Sequence, residues 1–510
     1  MTKPVVRQFF KNTFVSYLTA GLTMTITLVF TPYLISMLGK ERYGIWQLSF
    51  SLIGYMALAN LGMKQSLVRY YSKYYATDDW DGVNGIYNAA VRIYAGLASI
   101  ILILTPIVAF LILPGFKIEA DMFRTAQVVV VTLGIAQTAN LFFVPFSAIG
   151  GFHRFDISNY FRIARAVLEP LTIVVVLELG RGLQTMAWAI LGLTMVYWLS
   201  INVYRARAFP KMALTLGKID RENYRLLFGY GIVAFLIMIT NFMIYHTDNL
   251  VIGWFLPMEF VAVYAVASGI STKIRGVIGL MSVPLVPTIS HFEAQQDFDR
   301  IRTIYRKAMR YLYFVAGVAT LTTVFFGGPF ILLWVGDGFT DSIPVLLTLM
   351  LGSAIAYPQL IANSILYGLS KHKIVFYVHL GEALSNLGLS VVLIHYLGIV
   401  GVAWGTTIPQ LVIYSVVYPL AFQRVIGGKA SQFYANATRS LLVAAVITAP
   451  TAWVMRTVLP PDTWLVWLID CSVVSLAGLA GLFLFVLEPE DRTRLVAKIR
   501  STLGRQSDKG

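Results

Sequence analysis

Two positively charged residues, Lys273 and Arg275, interrupt the long apolar segment between residues 260 and 290. An ionisable side chain this deep in an apolar segment is costly, and it therefore marks a candidate functional site. An ammonium and a guanidinium group two residues apart could bind a phosphate-bearing group together, because Arg offers paired donors to phosphate oxygens. The alternative is structural: both side chains pair with an internal acid such as Asp248, or the helix is displaced so that both reach water.

Four arginines near the ends of other apolar segments could extend this site, namely Arg69, Arg92, Arg162 and Arg165. As a group they could form an electropositive entrance that attracts an anionic ligand. Each of them alone is also explained by the preference of basic residues for the cytoplasmic ends of membrane helices. Arg165 and Glu169 are four residues apart, so on one helix they are expected to form an ion pair.

Three acidic residues inside apolar segments, Glu169, Asp248 and Glu382, are candidates for ion coupling or for salt bridges. Asp248 could bind Na⁺ or a proton, or it could hold Lys273 or Arg275. The chain has one cysteine and no spacing of His, Cys and acidic residues that is typical of a metal site. No metal, cofactor or catalytic residue is therefore predicted.

The composition indicates that membrane helices carry these residues. The chain has 510 residues, of which 57% are hydrophobic and 13% are charged, whereas soluble proteins carry about 25% charged residues. The mean hydropathy of +0.71 agrees. These values exclude disordered, coiled-coil and disulfide-rich chains and argue against a soluble enzyme. The net charge of +15 has three possible explanations: binding to nucleic acid, binding to an anionic lipid or substrate, or basic cytoplasmic loops.

A bilayer core of about 30 Å needs about 20 mostly apolar helical residues. That criterion predicts an all-α integral membrane protein with about fourteen spans, at residues 13–38, 43–62, 84–113, 123–150, 158–179, 185–204, 226–256, 260–290, 310–334, 343–367, 374–396, 400–422, 437–458 and 464–487. The first and last pairs are the least clearly separated, so a count of twelve stays open.

The basic residues are distributed very unevenly between the two sides of these spans. With a cytoplasmic N-terminus, the outer loops hold only Lys40, Arg42, Lys117, Arg124, Arg181 and Arg456, and the spans hold Arg92, Lys273 and Arg275. All other Lys and Arg residues fall in inner segments, which predicts that both termini are cytoplasmic. Since the charges are scattered through short loops, binding to nucleic acid is not expected.

An internal repeat relates the first six spans to the next six. Matched positions include Gly151 with Gly368, Tyr160 with Tyr377, and Gly180 with Gly398. Six spans separate the copies, so they have the same orientation in the membrane, an arrangement found in alternating-access carriers. We predict two pseudo-symmetric six-helix lobes, two further helices and a basic tail, at residues 1–210, 211–425, 426–490 and 491–510. Arg165 and Glu382 correspond in the repeat and could pair in one conformation.

Several segments resemble the polysaccharide flippase (Wzx-type) family. They include LGKERYGIWQLSFSLIGYMALANLGMKQSLVRYYSKY from Leu38, DNLVIG from Asp248, and Val286-Pro287 with Ser290. This family shares a superfamily with the MATE multidrug carriers and the lipid II flippase. The resemblance implies a V-shaped, two-lobed fold in the bacterial inner membrane. It also implies translocation of an undecaprenyl-pyrophosphate-linked glycan to the outer leaflet.

The resemblance also bears on partners and on the last two spans. Membrane lipids, Na⁺ or H⁺ as coupling ion, and other polysaccharide assembly proteins are the further partners to consider. The last two spans either form a groove for the polyprenyl tail or serve as a packing appendage. The main alternative function is a cation-coupled MATE-type exporter of small organic molecules. A membrane enzyme is disfavoured because no outer loop is large enough to carry a catalytic domain.

Overall fold

The computed structural model describes residues 3–58, 63–215, 221–282 and 284–497, and within these ranges the chain is helical with no β-strand. The helices are α1 Lys3–Ala57, α2 Met63–Ala76, α3 Trp80–Ile107, α4 Ala120–Leu141, α5 Val144–Gly151, α6 Phe155–Glu178, α7 Leu183–Ala208, α8 Arg221–Phe255, α9 Met258–Leu280, α10 Leu285–Ala294, α11 Phe298–Val335, α12 Ser342–Ala356, α13 Leu360–Gly368, α14 His372–Val412, α15 Tyr418–Ile426, α16 Ala430–Val458 and α17 Trp464–Gly481. Residues 489–497 are also helical.

Each predicted span coincides with a helix, a pair of consecutive helices or one half of a kinked helix. Ten helical stretches in the described part of the chain are long and apolar enough to cross a membrane. The first two predicted spans lie together on α1, and the spans 374–396 and 400–422 lie on α14 and its continuation. The predicted all-α membrane fold is therefore confirmed. Of the predicted basic tail, residues 498–510 lie outside the described residues.

Two glycines with positive φ divide the longest helices. Gly39 on α1 has a φ of 76°, and Gly398 on α14 has a φ of 57°. A residue with a Cβ would be strained in this region of φ, so glycine lets the chain turn between consecutive spans without a long loop. Two helices that contain a proline continue into a π-helical turn: Pro106 precedes the turn at residues 108–112, and Pro409 precedes the turn at residues 413–417.

The chain forms two compact units. The first contains residues 1–265 and 379–402, and the second contains residues 266–378 and 403–510. The predicted lobes at 1–210 and 211–425 describe the sequence repeat, and their boundaries stay a prediction.

The sequence repeat has a detailed counterpart in local geometry. In the first unit, the Ser72 hydroxyl donates to the Gly151 carbonyl at 2.8 Å, and in the second, Ser290 donates to Gly368 at 3.0 Å. Both glycines are packed too closely to accept a Cβ: it would lie 2.6 Å from Tyr71 Cβ at Gly151 and 2.8 Å from Ile289 Cβ at Gly368. Equivalent contacts thus recur at equivalent positions of the two copies.

A cluster of charged groups ties the segment after α17 to α11 in the second unit. Lys307 Nζ lies 2.8 Å from Glu488 Oε2 and 3.0 Å from Asp491 Oδ2. The Tyr311 hydroxyl donates to the same Asp491 oxygen at 2.6 Å. Hydrogen bonds from Tyr311 and Lys307 hold the pKa of Asp491 below its usual range. The ionised carboxylate of Asp491 therefore stabilises this attachment.

Candidate functional site

A cavity of about 660 Å³ lies within the first unit, between the start of α2 and the helices α3 to α7. Its lining combines basic, amide, hydroxyl and aromatic side chains, among them Lys64, Tyr94, Gln137, Asn140, Ser147, Arg162, Arg165, Glu169 and Tyr197. This volume falls within the range of sites that bind small molecules or head groups. Among the described residues, three positively charged side chains and one carboxylate line it, so the described lining carries a net positive charge.

Arg165 is held in place on the cavity wall by two polar partners. Its Nη1 donates to Asn140 Oδ1 at 3.2 Å, and its Nε lies 3.4 Å from Glu169 Oε2. The guanidinium also faces the rings of Phe143 and Tyr197, with centroids at 5.9 and 5.5 Å. The pair predicted from the spacing of Arg165 and Glu169 is therefore present. Because both side chains are about one-third exposed, the pair remains accessible from the cavity.

Lys64 and Arg162 supply the excess positive charge. Both residues are exposed, and they lie close enough for their like charges to repel each other. Lys64 Nζ lies 5.5 Å from the ring centroid of Phe146, which also lines the cavity. Two like charges held near each other beside a cavity favour an anion that neutralises both.

The structure places Arg92 and Arg69 elsewhere in the same unit. Arg92 Nη2 donates to the Thr215 carbonyl at 3.2 Å. It follows Asn84 and Asn88 on α3, whose side-chain amides also form hydrogen bonds with backbone groups between residues 211 and 215. Arg92 thus helps to anchor residues 211–215, which follow α7. Arg69 lies on the exposed side of α2, 5.8 Å from the ring centroid of Tyr70. Neither residue lines the cavity.

Lys273 and Arg275 belong to the second unit, on α9. Within the described residues of that unit, the Lys273 side chain forms no hydrogen bond or ion pair. Arg275 lies near enough to Tyr367 on α13 for its charge to act on the phenol. Both side chains are partly buried. Their role in substrate binding stays a prediction.

Two of the three predicted acidic residues, Asp248 and Glu382, are buried in the first unit. Asp248 is 5% exposed, and its Oδ2 accepts a hydrogen bond from the Tyr264 hydroxyl at 2.5 Å. Its neighbour Asn249 donates to Ser51 at 3.1 Å, which fixes α8 against α1. Glu382 on α14 is 2% exposed. Pairing of Asp248 with Lys273 or Arg275, and of Glu382 with Arg165, stays a prediction.

Sequence reasoning missed several residues of the cavity. Lys64 follows directly after the predicted span 43–62, where a basic residue is expected as an anchor. Asn140 and Gln137 are polar residues inside the predicted span 123–150, and this is the signal that could have identified them. Tyr197 lies in an aromatic-rich span and carries no separate sequence signal. Asn140 and Tyr197 meet Arg165 because α7 packs against both α4 and α6.

Comparison with known proteins gives consistent matches. A model of the polysaccharide biosynthesis protein family matches residues 9–293. The chain is 20% identical over 497 residues to the uncharacterized membrane protein EpsK of Bacillus subtilis (strain 168), and the match covers 95% of this chain and 96% of EpsK.

Two solved structures share the fold. The inward closed conformation of the lipid II flippase MurJ superposes with a TM-score of 0.71 at 15% identity, over 92% of this chain and 98% of MurJ. The inward-facing conformation of a multidrug resistance MATE family transporter of the MOP superfamily superposes with a TM-score of 0.66 at 18% identity, over 80% of this chain and 94% of the transporter chain. At these identities the two superpositions establish the fold.

Proposed function

Because the chain belongs to the polysaccharide biosynthesis protein family, we propose that it is a flippase for a polyprenyl-pyrophosphate-linked oligosaccharide. The cargo would be the repeat unit of an O-antigen, an exopolysaccharide or a capsule. It would be carried from the cytoplasmic to the outer leaflet of the bacterial inner membrane by alternating access, with both termini of the protein in the cytoplasm. The similarity to EpsK and the MurJ-like fold support this class of cargo.

The observation that carries the proposal is the net positive cavity of the first unit. A pyrophosphate diester presents negatively charged oxygens, and Lys64, Arg162 and Arg165 present donors of opposite charge. Each charge-assisted hydrogen bond contributes about 1.5–3 kcal/mol. Two or three such bonds would be enough to select a diphosphate from the neutral head groups of the bilayer.

The neighbouring side chains would receive the first sugar. Asn140, Gln137 and Ser147 offer amide and hydroxyl groups, and Tyr94 and Tyr197 offer rings, on the same cavity wall. Sugars present both hydroxyl groups and apolar C–H faces, so this mixture suits them. The polar groups of the cavity would thus accommodate the diphosphate together with the adjoining part of the glycan.

Lys273 and Arg275 are proposed as further contacts to the diphosphate. The support is their position in an apolar helix, together with the lack of a hydrogen bond to Lys273 from the described part of its own unit. A cation kept partly buried at this cost is expected to have a functional partner. Arg69 and Arg92 are proposed to contribute to the electropositive surface that attracts the cargo.

Asp248, Glu169 and Glu382 are proposed as coupling or gating groups. A buried carboxyl such as Asp248 can hold either Na⁺ or a proton, and both ions would remove its negative charge. The hydrogen bond from Tyr264 fixes one oxygen of this carboxyl. Coupling to either ion gradient would give transport a direction.

The alternative is a MATE-type exporter of small organic cations, which the shared fold also allows. A cavity that binds cations should be negatively charged. The cavity of the first unit has the opposite charge, because Glu169 is the one carboxylate among its described lining residues and is already paired with Arg165. Its charge therefore favours an anionic cargo.

Reconstitution into vesicles separates these two functions. The full chain would be tested with a fluorescent undecaprenyl-pyrophosphate glycan and, separately, with a fluorescent organic cation, each with Na⁺ or proton gradients. We expect the glycolipid to appear in the opposite leaflet and the cation to remain where it was added. Transport of the cation alone would overturn the proposal. The gradient that accelerates transport would identify the coupling ion.

A further inference from the structure

A separate cavity of about 230 Å³ lies entirely within the second unit. It is enclosed by the N-terminal turns of α11, the end of α15 and the beginning of α16. These turns of α11 are polar, and the apolar part of the helix follows them. The cavity therefore lies where a spanning helix passes from its polar end into its apolar part, which is the depth of lipid head groups.

Three positively charged residues, Arg302, Arg306 and Lys429, line this cavity. Arg302 is fixed by the protein, since Nη1 donates to the Ile426 carbonyl at 2.8 Å and Nη2 lies 2.7 Å from Asp299 Oδ1. The side chains of Arg306 and Lys429 are exposed and form no hydrogen bond or ion pair with the described part of the chain. Two cations beside the cavity are thus left available to a ligand, while Asp299, the one carboxylate among the described lining residues, is paired with Arg302.

The backbone adds to this positive potential. Helix α16 has 29 residues, and its N-cap residue Lys429 makes no side-chain capping hydrogen bond. The N–H groups of the first helical turn point out of the helix end, and the helix dipole there favours negative charge. Gly427, with a φ of 66°, and Gly428 let the connecting loop approach α11 and α15 closely. A Cβ at Gly428 would lie 1.9 Å from Gln423 Oε1.

The floor of the cavity is apolar and aromatic. Tyr305, Met309 and Phe433 are all less than 9% exposed. The rings of Tyr305 and Phe433 stack with centroids 6.5 Å apart. A ligand that fits this site has an anionic part at the rim and a less polar part that reaches the buried rings.

We propose that this cavity binds the phosphate ester of an anionic membrane phospholipid. Arg306, Lys429 and the N–H groups of α16 would contact the phosphate oxygens, and Arg302 would hold the loop in place. The glycerol part would lie over Tyr305 and Phe433. Guanidinium groups suit phosphate because they offer paired donors, and basic clusters near a membrane surface attract anionic lipid. This site is distinct from the cavity proposed for the cargo, and its occupant would be a resident lipid.

Lipid-dependent thermal stability tests the proposal on the full chain in neutral detergent. Phosphatidylglycerol or phosphatidylcholine would be added to the wild type, to an Arg306→Gln/Lys429→Gln double variant and to both single variants. Arg424→Gln is the matched control, because it removes a basic residue from α15 that does not line the cavity. Equal melting temperatures with phosphatidylcholine alone would verify that all variants fold.

We expect phosphatidylglycerol to raise the Tm of the wild type and of Arg424→Gln. The double variant should need about thirtyfold more of this lipid, since each basic residue near the surface contributes about a fivefold factor in affinity. Inorganic phosphate is tested in a separate arm, which identifies the source of the ligand. If phosphate raises the Tm of the wild type but not of the double variant, the same site binds phosphate from water. Equal phosphatidylglycerol responses of the double variant and the control would overturn the proposal.

Discussion

The guanidinium of Arg165 and the carboxylate of Glu169 meet at 3.4 Å, one helical turn apart, on the wall of a cavity that carries net positive charge. Asn140 on the neighbouring helix accepts a second hydrogen bond from the same guanidinium. The orientation of Arg165 is therefore fixed before any ligand enters. Lys64 and Arg162, which lack such partners among the cavity's carboxylates, supply the charge that an anionic cargo would neutralise.

Replacement of Glu169 tests whether its carboxylate competes with the cargo. Glu169→Gln removes the negative charge that Arg165 now faces, so the affinity for undecaprenyl pyrophosphate should rise by about fivefold. Arg165→Gln should lower the same affinity by about tenfold, because one charge-assisted hydrogen bond is lost. Equilibrium binding in detergent measures both. A loss of affinity in Glu169→Gln as large as that in Arg165→Gln would show that the pair acts structurally.

The charges on α9 give a second prediction. Lys273→Ala and Arg275→Ala should each abolish export of the surface polysaccharide while the amount of protein in the membrane stays unchanged. The reason is the proposed contact of both cations with the diphosphate. Cell-surface glycan and membrane protein levels would be measured in the same strain. Normal export by the double alanine variant would eliminate α9 from the binding site.

The repeated glycine contacts predict matched effects on stability. Gly151→Ala and Gly368→Ala each place a Cβ within 2.6–2.8 Å of a neighbouring Cβ, so each should destabilise the protein by about 1–3 kcal/mol. Gly192 on α7 has no atom within 4 Å of a Cβ position, and Gly192→Ala should leave stability unchanged or slightly raised. Thermal unfolding in detergent compares the three. If all three variants have similar melting temperatures, the close packing at Gly151 and Gly368 adjusts to a Cβ without loss of stability.

Attachment of the segment after α17 should depend on pH. The pKa of Asp491 is lowered in the folded protein. The carboxylate of Asp491 therefore contributes its full stabilisation above the pKa of the unfolded state, which is about 3.9. This contribution is lost as the pH falls through the lowered pKa of Asp491 in the folded state. The protection of residues 489–497 from hydrogen exchange, relative to the intrinsic rate at each pH, should thus fall in acid, and Asp491→Asn should show low protection at every pH. If Asp491→Asn and the wild type show the same protection at neutral pH, Asp491 does not have this role.

The sequence predicts the helices and the repeat well because both depend on patterns within the chain. Apolar segments of sufficient length specify spans, and the pairing of Gly151 with Gly368 follows from the aligned copies. The kinks at Gly39 and Gly398 were not predicted, although both glycines separate predicted spans. A glycine with positive φ can join two helices with no intervening loop, whereas the polarity pattern alone predicts a loop at each of these boundaries.

The candidate site was predicted only in part. Arg165 and Glu169 share one helix, and their spacing alone predicts the observed pair. Asn140 and Lys64 come from other helices, so their place beside Arg165 depends on helix packing that no local pattern encodes. Arg92 shows the converse: its sequence position favours a ligand contact, whereas its guanidinium donates to the Thr215 carbonyl. A backbone partner of this kind cannot be read from residue spacing.

Transport by a variant of the cationic cavity tests the proposed function most directly. Arg162→Gln/Arg165→Gln would be reconstituted beside the wild type and beside Arg207→Gln, which removes an exposed arginine outside the cavity. The initial rate of undecaprenyl-pyrophosphate-glycan transfer between leaflets would be measured at limiting substrate. We predict a loss of at least tenfold in the double variant and an unchanged rate in Arg207→Gln. A wild-type rate in a folded double variant would contradict the assignment of this cavity to the diphosphate.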